Sequence, residues 1–93
     1  MILHHIQSSP TQSSALKTCL RYLDSSDSIL LSGNAVNCLL TQAWQEQLQP
    51  YRLMLLADDV IARGLQDRLS AYKQIGYSDF VEQTLIHKKV ISW

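Results

Sequence analysis

Two cysteines are the side chains in this sequence that could carry out covalent chemistry. Cys19 lies between Lys17 and Arg21, whereas Cys38 has no basic neighbour. A persulfide carrier needs a thiolate that exchanges sulfur with a sulfane donor, and a nearby cation lowers the pKa of a thiol. Cys19 is therefore the candidate persulfide acceptor, provided that the flanking cations lie near its sulfur. The alternative is that Cys19 is a small apolar residue on the buried stripe of a helix, and Cys38 is interpreted as a packing residue.

The histidines and carboxylates do not form a pattern typical of a metal site or of acid–base catalysis. His4 and His5 are adjacent on a predicted strand, so their side chains point to opposite faces and do not chelate one metal ion. No histidine and cysteine have the spacing of a zinc site. Asp58 and Asp59 precede a predicted helix, which either of them can cap without any catalytic role. We therefore expect no bound metal ion, and the two histidines are interpreted as hydrogen-bonded structural residues.

Glycine spacing argues against a nucleotide-binding protein, and overall charge argues against a nucleic-acid-binding protein. The three glycines never fall within one loop, so the sequence has no phosphate-binding loop and we expect no nucleotide or other cofactor. The 8 basic residues are balanced by 8 acidic ones, which argues against direct nucleic-acid binding because that requires concentrated positive charge. The longest apolar runs are far shorter than the ~20 residues that span a bilayer. Because a signal-peptide pattern is absent and cysteine is scarce, we expect a cytoplasmic location.

One strand-to-helix junction gives the clearest signal of secondary structure. Leu53–Ala57 is a short, continuous apolar run, typical of a strand that is buried on both faces. Val60, Ile61 and Leu65 follow at helical spacing, and Gly64 can end that helix. The junction predicts an α/β fold with this strand in the middle of the sheet, where functional crevices form at the carboxyl ends of the strands.

The rest of the chain alternates between predicted strands and helices. Further strands are predicted at Ile2–Ile6, Ser28–Ser32, Ser70–Gly76 and Lys89–Trp93. Helices are predicted over Ala15–Leu23, over Ala35–Leu48, and from a cap at Ser78 or Asp79 to Ile86. The alternation predicts a single domain over residues 1–93, a three-layer α/β/α fold with a mostly parallel sheet of four to five strands. The third of these four strands is the least apolar, so we expect it near an edge of the sheet.

Several short motifs, taken in order, resemble the TusB/DsrH family of the DsrEFH-like superfamily. They are Leu3-His4 with Ser9-Pro10, Asp27–Leu31, Ala57–Leu65, Tyr77–Val81 and the closing Ser92-Trp93. The resemblance covers essentially the whole chain. The sequence departs from the family pattern at Ser32-Gly33, where many members have an acidic Asp-Gly after the second strand.

The resemblance implies a cytoplasmic subunit of a sulfur-relay complex. In the Tus branch, such a subunit joins TusC-like and TusD-like partners in a heterohexamer. That complex passes persulfide sulfur from a TusA-like donor to a TusE-like acceptor for 2-thiolation of the tRNA wobble uridine. In the Dsr branch, related complexes act in sulfur oxidation. Cys19 matches the cysteine that DsrH-type members carry on the first helix, while the main sulfur-carrying cysteine of the family lies on the TusD/DsrE sister.

Three hypotheses of function follow from the residues and the resemblance. The leading one is a non-catalytic or accessory subunit whose work is assembly, because the sequence has no catalytic constellation. The second is a DsrH-like persulfide carrier that acts through Cys19. The third is a stand-alone interaction domain that self-associates when it is expressed alone. Four aromatic residues are candidate anchors in the core or at an interface: Trp44, Tyr77, Phe80 and Trp93.

Overall fold

The computed structural model describes residues 1–93 and contains one five-stranded sheet in which every pair of neighbouring strands is parallel. The strands are β1 (Ile2–Ile6), β2 (Ser28–Leu31), β3 (Arg52–Leu56), β4 (Lys73–Ile75) and β5 (Lys89–Ser92). The helices are α1 (Ala15–Tyr22), α2 (Gln42–Leu48), α3 (Ala57–Ala62) and α4 (Tyr77–Ile86). The predicted α/β class with a mostly parallel sheet is confirmed. No helix has both the length and the apolar composition needed to cross a membrane.

The two faces of the sheet are covered unequally. One face packs against α1, α2, α3 and a 3-10 helix over Gly33–Leu40, and this side holds a core of 14 buried residues. The opposite face has a cluster of only 4 buried residues, against which α4 places the half-buried Phe80. No residue of α4 is fully buried. The fold therefore has one deep core and one thinly covered face.

The strand order in the sheet is β4-β3-β2-β1-β5, with β2 in the middle and β4 and β5 at the edges. The prediction that Leu53–Ala57 forms the middle strand is wrong, because that position is taken by β2, whose four residues are all buried. A continuous apolar run indicates burial on both faces, and it carries no information about how many strands lie on either side. The placement of the weakest strand near an edge is confirmed, since β4 is an outer strand.

The predicted helix over Ala35–Leu48 is divided at Thr41, which has an extended backbone (φ −107°, ψ 138°). The Thr41 backbone N–H and hydroxyl both donate to the Cys38 carbonyl, at 3.2 and 2.9 Å. A short β-branched side chain that bonds a backbone carbonyl competes with continuation of a helix. The predicted apolar stripe after β3 is also only partly correct, because Val60 and Leu65 are buried but Ile61 is exposed.

Two glycines lie in turns whose positive φ angles would strain any other residue. Gly64 has φ +65° and follows α3, where the Leu65 N–H donates to the Val60 carbonyl at 3.0 Å, so the predicted helix end is confirmed. Gly33 has φ +54° and follows β2; a Cβ there would lie 3.1 Å from the Gln7 carbonyl oxygen. Gly33 therefore allows the carboxyl ends of β1 and β2 to approach each other closely.

We expect Gly33→Ala to lower the free energy of unfolding more than Gly64→Ala does. Both substitutions place a side chain at positive φ, which costs about 1–2 kcal/mol. Only Gly33→Ala also crowds a backbone carbonyl, because nothing lies within 4 Å of a Cβ at Gly64. Chemical denaturation of both variants measures the difference. Equal losses of stability would show that the close approach at Gly33 adds no strain.

Candidate functional site

A buried chain of hydrogen bonds connects Trp93 to the loop before β2. The Trp93 indole N–H donates to His4 Nδ1 at 3.1 Å, and His4 Nε2 lies 3.0 Å from the Asp27 carboxylate. A carboxylate only accepts hydrogen bonds, so Nε2 carries the proton and Nδ1 is free to accept from the indole. This tautomer satisfies all three groups with a neutral imidazole. His4 and Asp27 are almost completely buried.

Asp27 accepts two further hydrogen bonds from the backbone. The N–H of Ile2 donates to one carboxylate oxygen at 2.9 Å, and the N–H of Asp24 donates to the other at 3.1 Å. Burial on its own would raise the pKa of Asp27, but the hydrogen bonds from His4, Asp24 and Ile2 outweigh burial and hold this pKa below its ordinary value. The residue is therefore a charged acceptor that joins β1 to the turn after α1.

Cys19 is completely buried on the inner side of α1. Burial raises the pKa of its thiol to about 11, and the negative charge of Asp27 contributes in the same direction. The flanking Lys17 and Arg21 side chains are exposed and are not among the causes of the shift, so the condition under which they would lower the Cys19 pKa is not met. Cys38 is also buried, and burial raises its pKa to about 12. Both thiols therefore stay protonated at neutral pH.

The carboxyl ends of β2 and β3 are joined by polar contacts. Asp59 accepts a hydrogen bond from the Gly33 backbone N–H at 2.7 Å, and the Arg63 guanidinium donates to the Asn34 side-chain oxygen at 2.8 Å. The prediction that Asp58 or Asp59 caps the following helix is wrong, because Leu56 is the cap residue and no side chain caps α3. Asp59 instead connects α3 to the residue that follows β2, and this structural role accounts for Asp59 without any catalytic function.

His4 and His5 lie on opposite faces of the sheet, as predicted. His4 faces the deep core and Trp93, whereas the His5 ring lies 5.3 Å from that of Phe80 on the thinly covered face. His5 Nε2 contacts the Ser32 hydroxyl at 2.7 Å. Burial lowers the pKa of His5, and the negative charge of Asp59 partly opposes this effect. Both rings have hydrogen-bond partners within the chain.

The outer side of α4 carries an exposed apolar stripe. Tyr77, Val81 and Leu85 follow at four-residue spacing and are 64%, 45% and 78% exposed. Phe80 points toward the sheet and packs against the smaller buried cluster, so its core assignment holds. Trp93 packs half-buried against the larger core of its own chain. Of the aromatic anchors, Tyr77 is thus the one most available to another protein.

The chain matches the family model described as "DsrH like protein" over residues 8–90, which is most of its length. It belongs to the DsrH-like family. The resemblance to the TusB/DsrH family seen in the sequence is confirmed. Because the match includes β2, the 3-10 helix and α3, the Ser32-Gly33 departure is a local change within the family fold, where Gly33 contacts Asp59 and Ser32 contacts His5.

Named relatives and a solved structure agree with this membership. The chain is 38% identical over 82 residues to proteins named TusB from Yersinia pestis and Yersinia pseudotuberculosis, covering 84% of this chain and 86% of theirs. It is also similar to the solution structure of protein Tm0979 from Thermotoga maritima, with a TM-score of 0.67 and 27% identity. That similarity covers 91% of this DsrH-like chain and 92% of the other.

The hydrogen-bond chain from Trp93 through His4 to Asp27 was not predicted from the sequence of this DsrH-like chain. Trp93 and His4 are 89 positions apart, and His4 and Asp27 are 23 apart. Hydrophobic periodicity describes one strand or helix at a time, so it does not pair residues this far apart in the sequence. The usable signal was an acidic residue directly before the predicted buried strand that begins at Ser28, since a charge at that position must find donors.

We expect Asp27→Asn to lower the free energy of unfolding at neutral pH by about 2 kcal/mol, because it removes a charged acceptor from buried donors. Since the folded-state pKa of Asp27 lies below the ordinary Asp value of about 3.9, its contribution is complete above that pH and declines as pH falls through the folded-state pKa. Urea denaturation between pH 7 and acid conditions measures both effects.

Asp24→Asn is the matched control for this substitution. Asp24 is exposed and its carboxylate contacts only the Ser25 hydroxyl, at 3.4 Å. We expect this variant to keep wild-type stability at neutral pH and the wild-type loss of stability in acid. If Asp27→Asn retains the full acid dependence of the wild type, the Asp27 carboxylate is not its source.

We expect Cys19 to react slowly with thiol reagents in the folded protein. With a pKa of about 11 and no exposed surface, fewer than about one Cys19 in a thousand is a thiolate at pH 7.5. The rate of reaction with a chromogenic disulfide, measured on Cys38→Ala so that one thiol is counted, should rise sharply in denaturant. Native-state reaction at the rate of a free model thiol would contradict the burial of Cys19.

Proposed function

We propose that this protein is a subunit of a TusBCD-type sulfur-relay complex, assembled with TusC-like and TusD-like subunits. In this proposal, the cytoplasmic complex receives persulfide sulfur from a TusA-like donor and passes it to a TusE-like acceptor for 2-thiolation of the tRNA wobble uridine. The observation that carries the proposal is membership of the DsrH-like family over residues 8–90, together with relatives named TusB. The contribution of this chain is mainly assembly.

The chemistry of the cysteines supports an assembly role. A sulfur carrier presents a thiolate to its donor, whereas Cys19 and Cys38 are buried and have raised pKa values. The reacting cysteine of the complex would then lie on a sister subunit. Direct persulfide transfer through Cys19 is the second candidate, and it requires α1 to move away from the core so that the thiol becomes accessible.

The exposed stripe of α4 supports the same role. Tyr77, Val81 and Leu85 form an apolar strip on a helix that covers its sheet only thinly. Apolar residues clustered on one exposed helix side are typical of a surface that another protein covers. We assign this strip to contact with a sister subunit.

We expect co-expression with the TusC-like and TusD-like proteins of the same organism to yield one species that contains all three chains in equal amounts. Light scattering and quantitative gel analysis of the purified material measure this. Leu85→Asp should prevent the assembly because it places a charge in the apolar strip. Ile61→Asp is the matched control, since Ile61 is a similarly exposed apolar residue outside α4.

The outcomes separate the three hypotheses. A homo-oligomer that ignores both sisters would contradict the assembly role and favour a stand-alone interaction domain. On an assembled complex, Cys19→Ser distinguishes the two sulfur-relay roles: unchanged sulfur transfer to the TusE-like acceptor excludes Cys19 as a carrier. Loss of transfer with the complex intact would instead favour direct persulfide transfer.

A further inference from the structure

A cleft of about 430 Å³ opens at the amino ends of the strands, on the thinly covered face of the sheet. Its walls come from the second half of α4 and from the first residues of β2, β3 and β4. This volume is in the range that holds a small organic molecule or the end of a peptide. The apolar strip of α4 proposed for assembly does not line this cleft.

Two cationic side chains in the wall of the cleft have no acidic partner. Arg52 begins β3 and Lys73 begins the neighbouring strand β4, and both side chains are exposed. The lining contains no carboxylate. The only contact between a basic residue and a carboxylate in the structure is the hydrogen bond of the neutral His4 to Asp27, and neither residue lines the cleft. The Arg52 guanidinium contacts only the sulfur of Met1, at 4.0 Å. An anion entering the cleft would therefore meet two unneutralised cations.

Apolar side chains lie beside these cations. Met54 belongs to the smaller buried cluster and lines the cleft next to Leu53. Ile86, on the α4 side, is 61% exposed although it borders the cleft. An apolar stem lying across the cleft would remove the Ile86 surface from water, which is favourable in proportion to the area covered.

The floor of the cleft is held in place by hydrogen bonds. His87 Nδ1 lies 2.7 Å from the Gln83 carbonyl oxygen, so this nitrogen carries the proton and donates. His87 Nε2 lies 3.0 Å from the Ser28 hydroxyl. Both side chains are almost fully buried and have partners, so the floor offers a fixed surface. The arrangement suits binding.

We propose that this cleft binds a carboxylate carried on a short apolar stem. The carboxylate would lie between Arg52 and Lys73, where a guanidinium can donate two parallel hydrogen bonds to its two oxygens. The stem would lie against Ile86 and Met54. Two sources offer this chemistry: a free aliphatic acid, and the carboxyl end of an apolar polypeptide segment.

Calorimetry with octanoate tests this binding site, with acetate and 1-octanol as probes that lack the stem or the charge. We expect octanoate to bind at least about tenfold more tightly than either, and its affinity to fall as salt is added. Arg52→Gln/Lys73→Gln should weaken octanoate binding about tenfold, because it removes two hydrogen-bonding charges from the site.

The control variant is Lys17→Gln/Arg68→Gln, which changes the net charge equally at exposed positions outside the cleft. It should bind octanoate like the wild type. Equal affinity for octanol and octanoate, equal effects of the two double variants, or no octanoate binding would each overturn the proposal.

A second arm of the experiment distinguishes the sources. The probes are the acetylated peptide Ala-Leu-Leu with a free carboxyl end and the same peptide as its amide. Tighter binding of the free-acid peptide than of octanoate assigns the site to a polypeptide end, and weaker binding assigns it to a free acid. If the peptide and its amide bind equally tightly, Arg52 and Lys73 do not recognise the carboxyl end of a peptide, and the polypeptide source is excluded.

Discussion

The hydrogen bonds accepted by the Asp27 carboxylate hold the first and last residues of the chain in place. The carboxylate accepts from the backbone at the start of β1, from the turn after α1 and from His4, which in turn accepts from Trp93 after β5. A buried charge is tolerated only when donors surround it, so each of these segments must keep its position for the others to be satisfied. One side chain thereby fixes the central strands relative to the edge strand β5.

The same carboxylate also affects the chemistry of the fold. Cys19 lies near enough to Asp27 for the negative charge to raise its pKa, in addition to the effect of burial. A thiolate at Cys19 would be unfavourable for two independent reasons, low local dielectric and a like charge. The Asp27 carboxylate thus makes this position poorly suited to sulfur exchange, which supports the proposed assembly role over direct sulfur transfer.

Local patterns in the sequence predicted the fold class and one edge strand, but they predicted neither the central strand nor the contacts between side chains. Alternation of apolar strands and amphipathic helices predicted the α/β class, and the weak apolar content of Ser70–Gly76 predicted an edge strand. The break at Thr41 was missed because it depends on one side-chain bond to the Cys38 carbonyl. The surroundings of Cys19 were also unpredictable, since adjacent cations in sequence point to solvent on a helix whose inner side carries the thiol.

The unequal covering of the sheet follows from its topology. β4 and β5 are the two outer strands and are parallel, so the connection between them must cross one whole face of the sheet. That connection contains one helix of 10 residues, and a helix with its side chains is roughly 10–12 Å in diameter. Five strands at about 4.8 Å spacing are wider than this. A single helix cannot cover such a face, which leaves a cleft beside its second half. The cleft is therefore a consequence of strand order, whereas the apolar strip on the outer side of α4 comes from the sequence of the helix, and both surfaces are open to other molecules without any rearrangement of the core.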